Sequence, residues 1–238
     1  MANPLAQFEV TPIVPIQLAG YDVSFTNASL MMVIVVGLIG MFMLKGRQGA
    51  LVPGRWQSAN EVLVEFVQGI TKDNAGTDAM KYFPLILTIF TFVLFANLLG
   101  MIPGAFTVTS HIVVTFAMAG ILFLAITLLG FVKHGLHFLS LFLPAGTPWW
   151  MVPLMVMIEL VSYFARPISL SIRLAANMLA GHLLMKIMAG FVAASIFGIF
   201  PFLFLLIFTG FEIFVACLQA YIFTLLACIY LNDALHLH

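Results

Sequence analysis

Charge is what this chain of 238 residues most lacks. Asp, Glu, Lys and Arg make up 8% of it, nine acidic and nine basic residues that sum to zero. Nine scattered basic residues cannot form a nucleic-acid surface. There are two cysteines, Cys217 and Cys228, in one apolar run. On a helix they would stand about 16 Å apart, too far for a disulfide, so both are expected to be small buried hydrophobes. No histidine has a Cys or carboxylate at ligand spacing, which argues against a metal site and leaves no cofactor to expect. The first 28 residues hold no Lys or Arg but do hold Pro4, Pro12 and Pro15. A secretory leader needs a basic start and an apolar centre there, and neither is found.

What the chain has instead is apolar surface. Hydrophobic residues are 63% of it, and its mean hydropathy is +1.16. A soluble domain of this size cannot solvate that composition, so the sequence describes an integral membrane protein. The expected fold class is an all-α polytopic membrane protein forming one integral-membrane domain over residues 1–238. It divides into an outer-side segment (1–28), a first span (29–45), an interfacial amphipathic helix (56–72), a two-span hairpin (82–132) and a hairpin of long helices (149–232).

Each boundary has a physical reason. The run from Ala28 to Leu44 is just long enough to span, and Lys45, Arg47 and Arg55 follow it. The positive-inside rule then puts the N-terminus outside and the next loop in the cytoplasm. Ala59, Val62, Leu63, Phe66, Val67 and Ile70 recur at helical spacing in a segment too polar to span. It is expected to lie on the cytoplasmic membrane face, with Ser58 and Glu61 as a capping box. The alternative is a helix packed on a soluble partner. Spans near Tyr82–Met101 and His111–Val132 follow, joined by the uncharged link "PGAFTVTS" on the outer side, and Lys133 returns the chain to the inside. From Trp149 to Leu231 nothing reads as a water-exposed loop. Two helices of that length would each run roughly twice the hydrocarbon thickness. Either they break near Pro167 and Pro201 or they lie strongly tilted.

That last third also collects the intramembrane polar residues. Arg173, inside "SLSIRLAANMLAGH", costs roughly 3 kcal/mol to insert, so it needs a task or a partner. Glu159, Arg166 and Arg173 are spaced by seven and share a helix face, widened by Ser169 and Asn177 one turn either side of Arg173. His182 lies half a turn around the axis. A hairpin turning near residue 196 or 197, within "AASIFGIFP", pairs Arg173 with Gln219, His182 with Glu212 and Glu159 with Asp233. Arginine stays charged and cannot relay protons, whereas a His facing a buried Glu can take up and release them near neutral pH. Such a pair suits protons and is a poor sodium cage. Arg166 and Lys186 read as snorkelling or partner-facing charges, and His111 as interfacial. Small residues near Arg173 and at Ala216 and Ala220 allow close helix approach.

At "RPISLSIRLAANMLAGHLL" and "FEIFVACLQAYIFTLL" the chain closely resembles the a-subunit family of rotary F-type ATP synthases, and "FANLLGMIPGAF" is family-like too. The resemblance implies a non-catalytic, proton-translocating stator subunit beside a rotating c-ring, with two offset aqueous half-channels. It implies that Arg173 separates the half-channels, with Asn177 and Gln219 as neighbours facing the ring and Ser169 one turn away. His182, Glu212 and Asn97 take outer half-channel positions, Glu159 an inner-path carboxylate, and Tyr230 a position near the helix end. It further implies long helices lying almost flat, curved around the ring. The implied partners are c-ring subunits, b-type peripheral-stalk subunits, the peripheral catalytic ATPase reached through the stalks, and membrane lipids. The implied membrane is a bacterial inner membrane, with the mitochondrial inner membrane second. His182 and Glu212 are exchanged relative to one branch of the family, and Gly100 stands where some members carry an acid. The competing reading is a stand-alone secondary transporter or channel. Many such folds contain inverted repeats, and the two halves of this chain show no self-similarity.

Overall fold

A computed structural model describes residues 9–15, 17–18, 21–22, 24–47, 52–102, 105–143, 148–194 and 199–236. The chain is an all-α polytopic membrane protein. Among the described residues six α-helices run in order: α1 Asn27–Gly46, α2 Arg55–Ala75, α3 Phe83–Gly100, α4 Ile112–His134, α5 Val152–Ala194 and α6 Ile199–Leu235. Among the described residues, five helical stretches are long and apolar enough to cross a membrane, and α2 is not one of them.

The N-terminal segment carries strand structure that its sequence does not announce. β1 (Pro12–Val14) pairs antiparallel with β4 (Phe25–Thr26), and β2 (Gln17–Leu18) with β3 (Tyr21–Asp22). Strands of two or three residues are too short to show alternation, so no period-2 pattern betrays them. Asn27 ties this segment to α1: its Oδ1 accepts from the Thr11 N–H at 3.2 Å and its Nδ2 donates to the Glu9 carbonyl at 3.0 Å. Thr26 caps the helix by accepting from the Ser29 N–H at 3.3 Å.

α2 departs from expectation at its start. The helix begins at Arg55, with Gly54 extended as its N-cap and no side-chain cap bond. Ser58 is therefore already inside it, where its N–H donates to the Gly54 carbonyl at 2.9 Å. Glu61 accepts from Gln57 Nε2 at 2.8 Å, not from a capping partner. Val67, Ile70, Thr71 and Ala75 are buried along one face. That face meets the chain's own α6: Phe66 packs on Tyr221 with centroids 6.1 Å apart, and Thr71 touches Cys228.

α5 and α6 are continuous over 43 and 37 residues. At 1.5 Å per residue, α5 is about 64 Å long. Pro167 removes the hydrogen bond to the Tyr163 carbonyl but does not break the helix, and Pro201 sits in the first turn of α6, where a missing N–H costs little. The alternative of four shorter spans is thus not what forms. The expected turn near 196–197 lies outside the described residues.

The core follows from small residues. Ala216, Ala220, Phe223, Ala227, Cys228, Leu231 and Ala234 form the buried stripe of α6. Lipid tails are as apolar as the helices, so helix association rests on close van der Waals contact, which alanine permits. The matching stripe of α5 is Tyr163, Pro167, Leu170, Leu174 and Met178. Cys228 is buried as expected, but Cys217 is exposed: eleven residues are close to three whole turns, so the two point nearly the same way around α6, at levels that the bundle covers differently. Lys133 closes the assembly by donating to the Leu235 carbonyl at 3.0 Å, a cation on a helix C-terminus.

Candidate functional site

The α5–α6 hairpin carries two polar clusters with an isolated cation between them. Near the turn, Glu212 of α6 lies against Gly181 of α5, so closely that a Cβ at Gly181 would collide with the carboxylate. Only glycine leaves that space. His182 follows it, buried, with Nε2 3.2 Å from Thr107 Oγ1. Thr209 Oγ1 reaches Met185 Sδ at 3.9 Å, close to the register expected of the hairpin. Glu212 Oε2 is buried without a hydrogen-bond partner among the described residues. A cleft of about 160 Å³ opens beside it, lined by Asn177, Ala180, Leu184, Phe208 and Phe211.

Asn97 comes to the same region from α3. It is fully buried, donates from Nδ2 to the Ala216 carbonyl at 3.4 Å, and leaves Oδ1 unpartnered among the described residues. Ala216 is one turn from Glu212, so α3, α5 and α6 converge here. Ser110 and His111 face Ile172, Ala175 and Ala176 of α5 across a separate groove of about 450 Å³.

The far end of the hairpin is charge-compensated. Arg166 sits 3.7 Å from Glu159 and 3.1 Å from Asp233. Its guanidinium also covers the rings of Tyr163 and Tyr230, at 5.8 and 5.2 Å from their centroids. The expected level of Glu159 with Asp233 is thus spanned by an arginine. Arg166 is no snorkelling charge, because two carboxylates and two aromatic faces surround its guanidinium. The sequence shows the face that Arg166 shares with Glu159 and sets Asp233 at that level, but not that the arginine bridges the two carboxylates. Tyr163 in turn donates to Thr127 Oγ1 at 2.7 Å, since that hydroxyl gives its own proton to the Phe123 carbonyl.

Between the clusters, Ser169, Arg173 and Asn177 lie on the exposed face of α5. No hydrogen bond or ion pair holds Arg173 among the described residues. Ile168 and Ile172 beside it are 45% and 47% exposed, so a single cation stands on an apolar face. Gln219 is placed differently: it is 6% exposed and turned into the bundle. It therefore does not share an open face with Asn177. Thr107 is the residue that sequence reasoning missed, being one hydroxyl in a short link with no periodicity.

Together these features define a polytopic helical membrane protein with ionisable groups held inside its membrane section. The sequence profile of the family described as ATP synthase A chain matches residues 28–232. A protein of Parvibaculum lavamentivorans called ATP synthase subunit a is 54% identical, covering 98% of this chain and 94% of its own length. Proteins of the same name from Paramagnetospirillum magneticum and Rhodospirillum rubrum are each 51% identical over the whole of both chains. The chain belongs to the ATP synthase A chain family.

Proposed function

We propose that this chain is the proton-translocating stator subunit of an F-type ATP synthase, loading and unloading the carboxylates of a rotating c-ring. The observation that carries the reading is Arg173. It is a permanent cation on an exposed apolar face, flanked by a buried His–Glu site and by an arginine-held carboxylate pair. A charge there stops bare protons from running between the two clusters, and it attracts a carboxylate that moves past in the membrane. His182 and Glu212, with Asn97, exchange protons with the outer side. Glu159, near Tyr230 and held by Arg166, stands on the inner side as a fixed charge beside the path and does not itself exchange protons. Ser169 and Asn177 extend the face that meets the ring, and Gln219 backs it from within the bundle.

The chain makes and breaks no covalent bonds itself. The peripheral ATPase does so, held through b-type stalk subunits. Helices of about 60 Å exceed a hydrocarbon layer of about 30 Å, so α5 and α6 lie steeply tilted against the ring. α2, polar on one face and carrying exposed Val62 and Phe66, rests on the cytoplasmic membrane surface. The bacterial relatives favour a bacterial inner membrane.

Inverted vesicles carrying Arg173→Ala in the assembled complex test this reading. ATP-driven pumping should fall to background with assembly intact, and passive proton leak, measured with the peripheral ATPase stripped, should change. Normal pumping would overturn the role of Arg173. A variant-free chain that moves protons alone in liposomes, with no ring present, would favour a stand-alone transporter.

A further inference from the structure

We infer that Thr107 is a positioning residue that fixes neutral His182 as the tautomer protonated at Nε2, so that proton exchange at this histidine runs through Nδ1. The inference rests on the proposed role of His182 and names the atom that performs it.

The Thr107 hydroxyl has a single proton to give. Among the described residues Thr107 Oγ1 has two close polar neighbours, the Gly100 carbonyl at 3.3 Å and His182 Nε2 at 3.2 Å. A carbonyl can only accept, so it takes the one hydroxyl proton. The hydroxyl then has only lone pairs to offer, and His182 must meet it with an N–H. The opposite tautomer would set a second acceptor, bare Nε2, in competition with the carbonyl for that one proton and leave one of the two unsatisfied. Thr107 is 1% exposed and His182 6%, so water does not readily relieve that conflict, which buried polar groups avoid. The bond made by one ring nitrogen thereby decides what the other can do.

Thr107 cannot easily turn away. Its own carbonyl accepts from Ser110 Oγ at 2.7 Å and from the Ser110 N–H at 3.3 Å. Gly100 completes the fitting: a Cβ there would come within 2.7 Å of Thr107 Cγ2. The bare glycine lets the threonine reach both the end of α3 and the imidazole. The ionisable groups on the elements packed about His182 are Lys186, one turn along α5, Glu212, which α6 presses against Gly181, and His111, which lines a groove against α5 beside Ser110. None of them offers Nε2 the lone pair that Thr107 does.

The test uses the assembled complex with 15N-labelled histidine, His182 being assigned by the signal missing in His182→Gln. Above the titration of His182, the unaltered protein should show a protonated Nε2 and a bare Nδ1. Thr107→Val, which keeps the shape and loses the hydroxyl, should give a mixture of tautomers. Passive proton conductance should fall at least fivefold with an altered pH profile, and Thr107→Ser should restore both. A protonated Nδ1 in the unaltered protein would overturn the inference, even if Thr107→Val failed to assemble. So would a Thr107→Val protein with unchanged tautomer and conductance. Arg173→Ala separates this from the broader reading: if that variant pumps normally, the stator role fails while the tautomer result stands by itself.

Discussion

The two ends of the α5–α6 hairpin solve the same problem in opposite ways. At the end away from the turn two carboxylates share one cation: Arg166 spans Glu159 and Asp233, and two tyrosine faces cover it. Near the turn no salt bridge to Glu212 is found among the described residues. Among the described residues Glu212 keeps a buried oxygen without a hydrogen bond, and His182 Nε2 bonds to a hydroxyl, that of Thr107. A carboxylate paired with an arginine stays ionised and anchors two helices. A carboxylate denied a cation inside a bundle is free to gain and lose a proton. The comparison teaches that residue types alone do not tell an anchor from a proton site. Compensation does.

The sharpest way to break the contrast is to fill the space that Glu212 uses. Gly181→Ala should push the carboxylate into its cleft and away from His182. Passive proton conductance should fall about tenfold while α5 and α6 stay associated, as measured by flux assays beside blue native gels. An unchanged flux would mean that the close approach has no bearing on transport. The opposite end should respond in stability. Arg166→Ala leaves two partly exposed carboxylates facing each other, and the expected loss is about 2 kcal/mol, between an exposed pair and a buried one. Adding Asp233→Asn should recover about half of it in thermal unfolding of the complex. No recovery would show that the arginine acts through packing alone. The smallest effect is expected at Thr127→Val, which takes away the acceptor of the Tyr163 hydroxyl and should cost about 1 kcal/mol. Proton flux should not change there.

How much of this was legible depended on the length of the signal. Apolar runs of about 20 residues need only composition to be seen, and they revealed the spans. The hairpin register was legible because Glu159, Arg166, Arg173, His182, Glu212 and Gln219 are rare polar residues in an apolar field, so helical spacing alone sorts them by level. What escaped was set by single contacts. Thr107 depends on where a short link happens to run. The reach of Arg166 to Asp233 depends on side-chain length across two helices. The capping box at Ser58 was misleading because Pro53 and Gly54 let the helix start one turn earlier. The inward turn of Gln219 was hidden for a related reason. Its spacing from Glu212 shows a shared side of α6, but not which neighbour covers that side.

The most direct test sets the two ends side by side. Passive proton conductance would be measured in vesicles stripped of the peripheral ATPase, for Glu212→Gln and Arg166→Ala in assembled complexes. Glu212→Gln keeps the size of the side chain and removes its titration, so conductance should fall to background with stability unchanged. Arg166→Ala should keep conductance within about threefold while its unfolding midpoint drops. The reverse pattern, with flux intact in Glu212→Gln and lost in Arg166→Ala, would contradict the assignment of the proton site to the end near the turn.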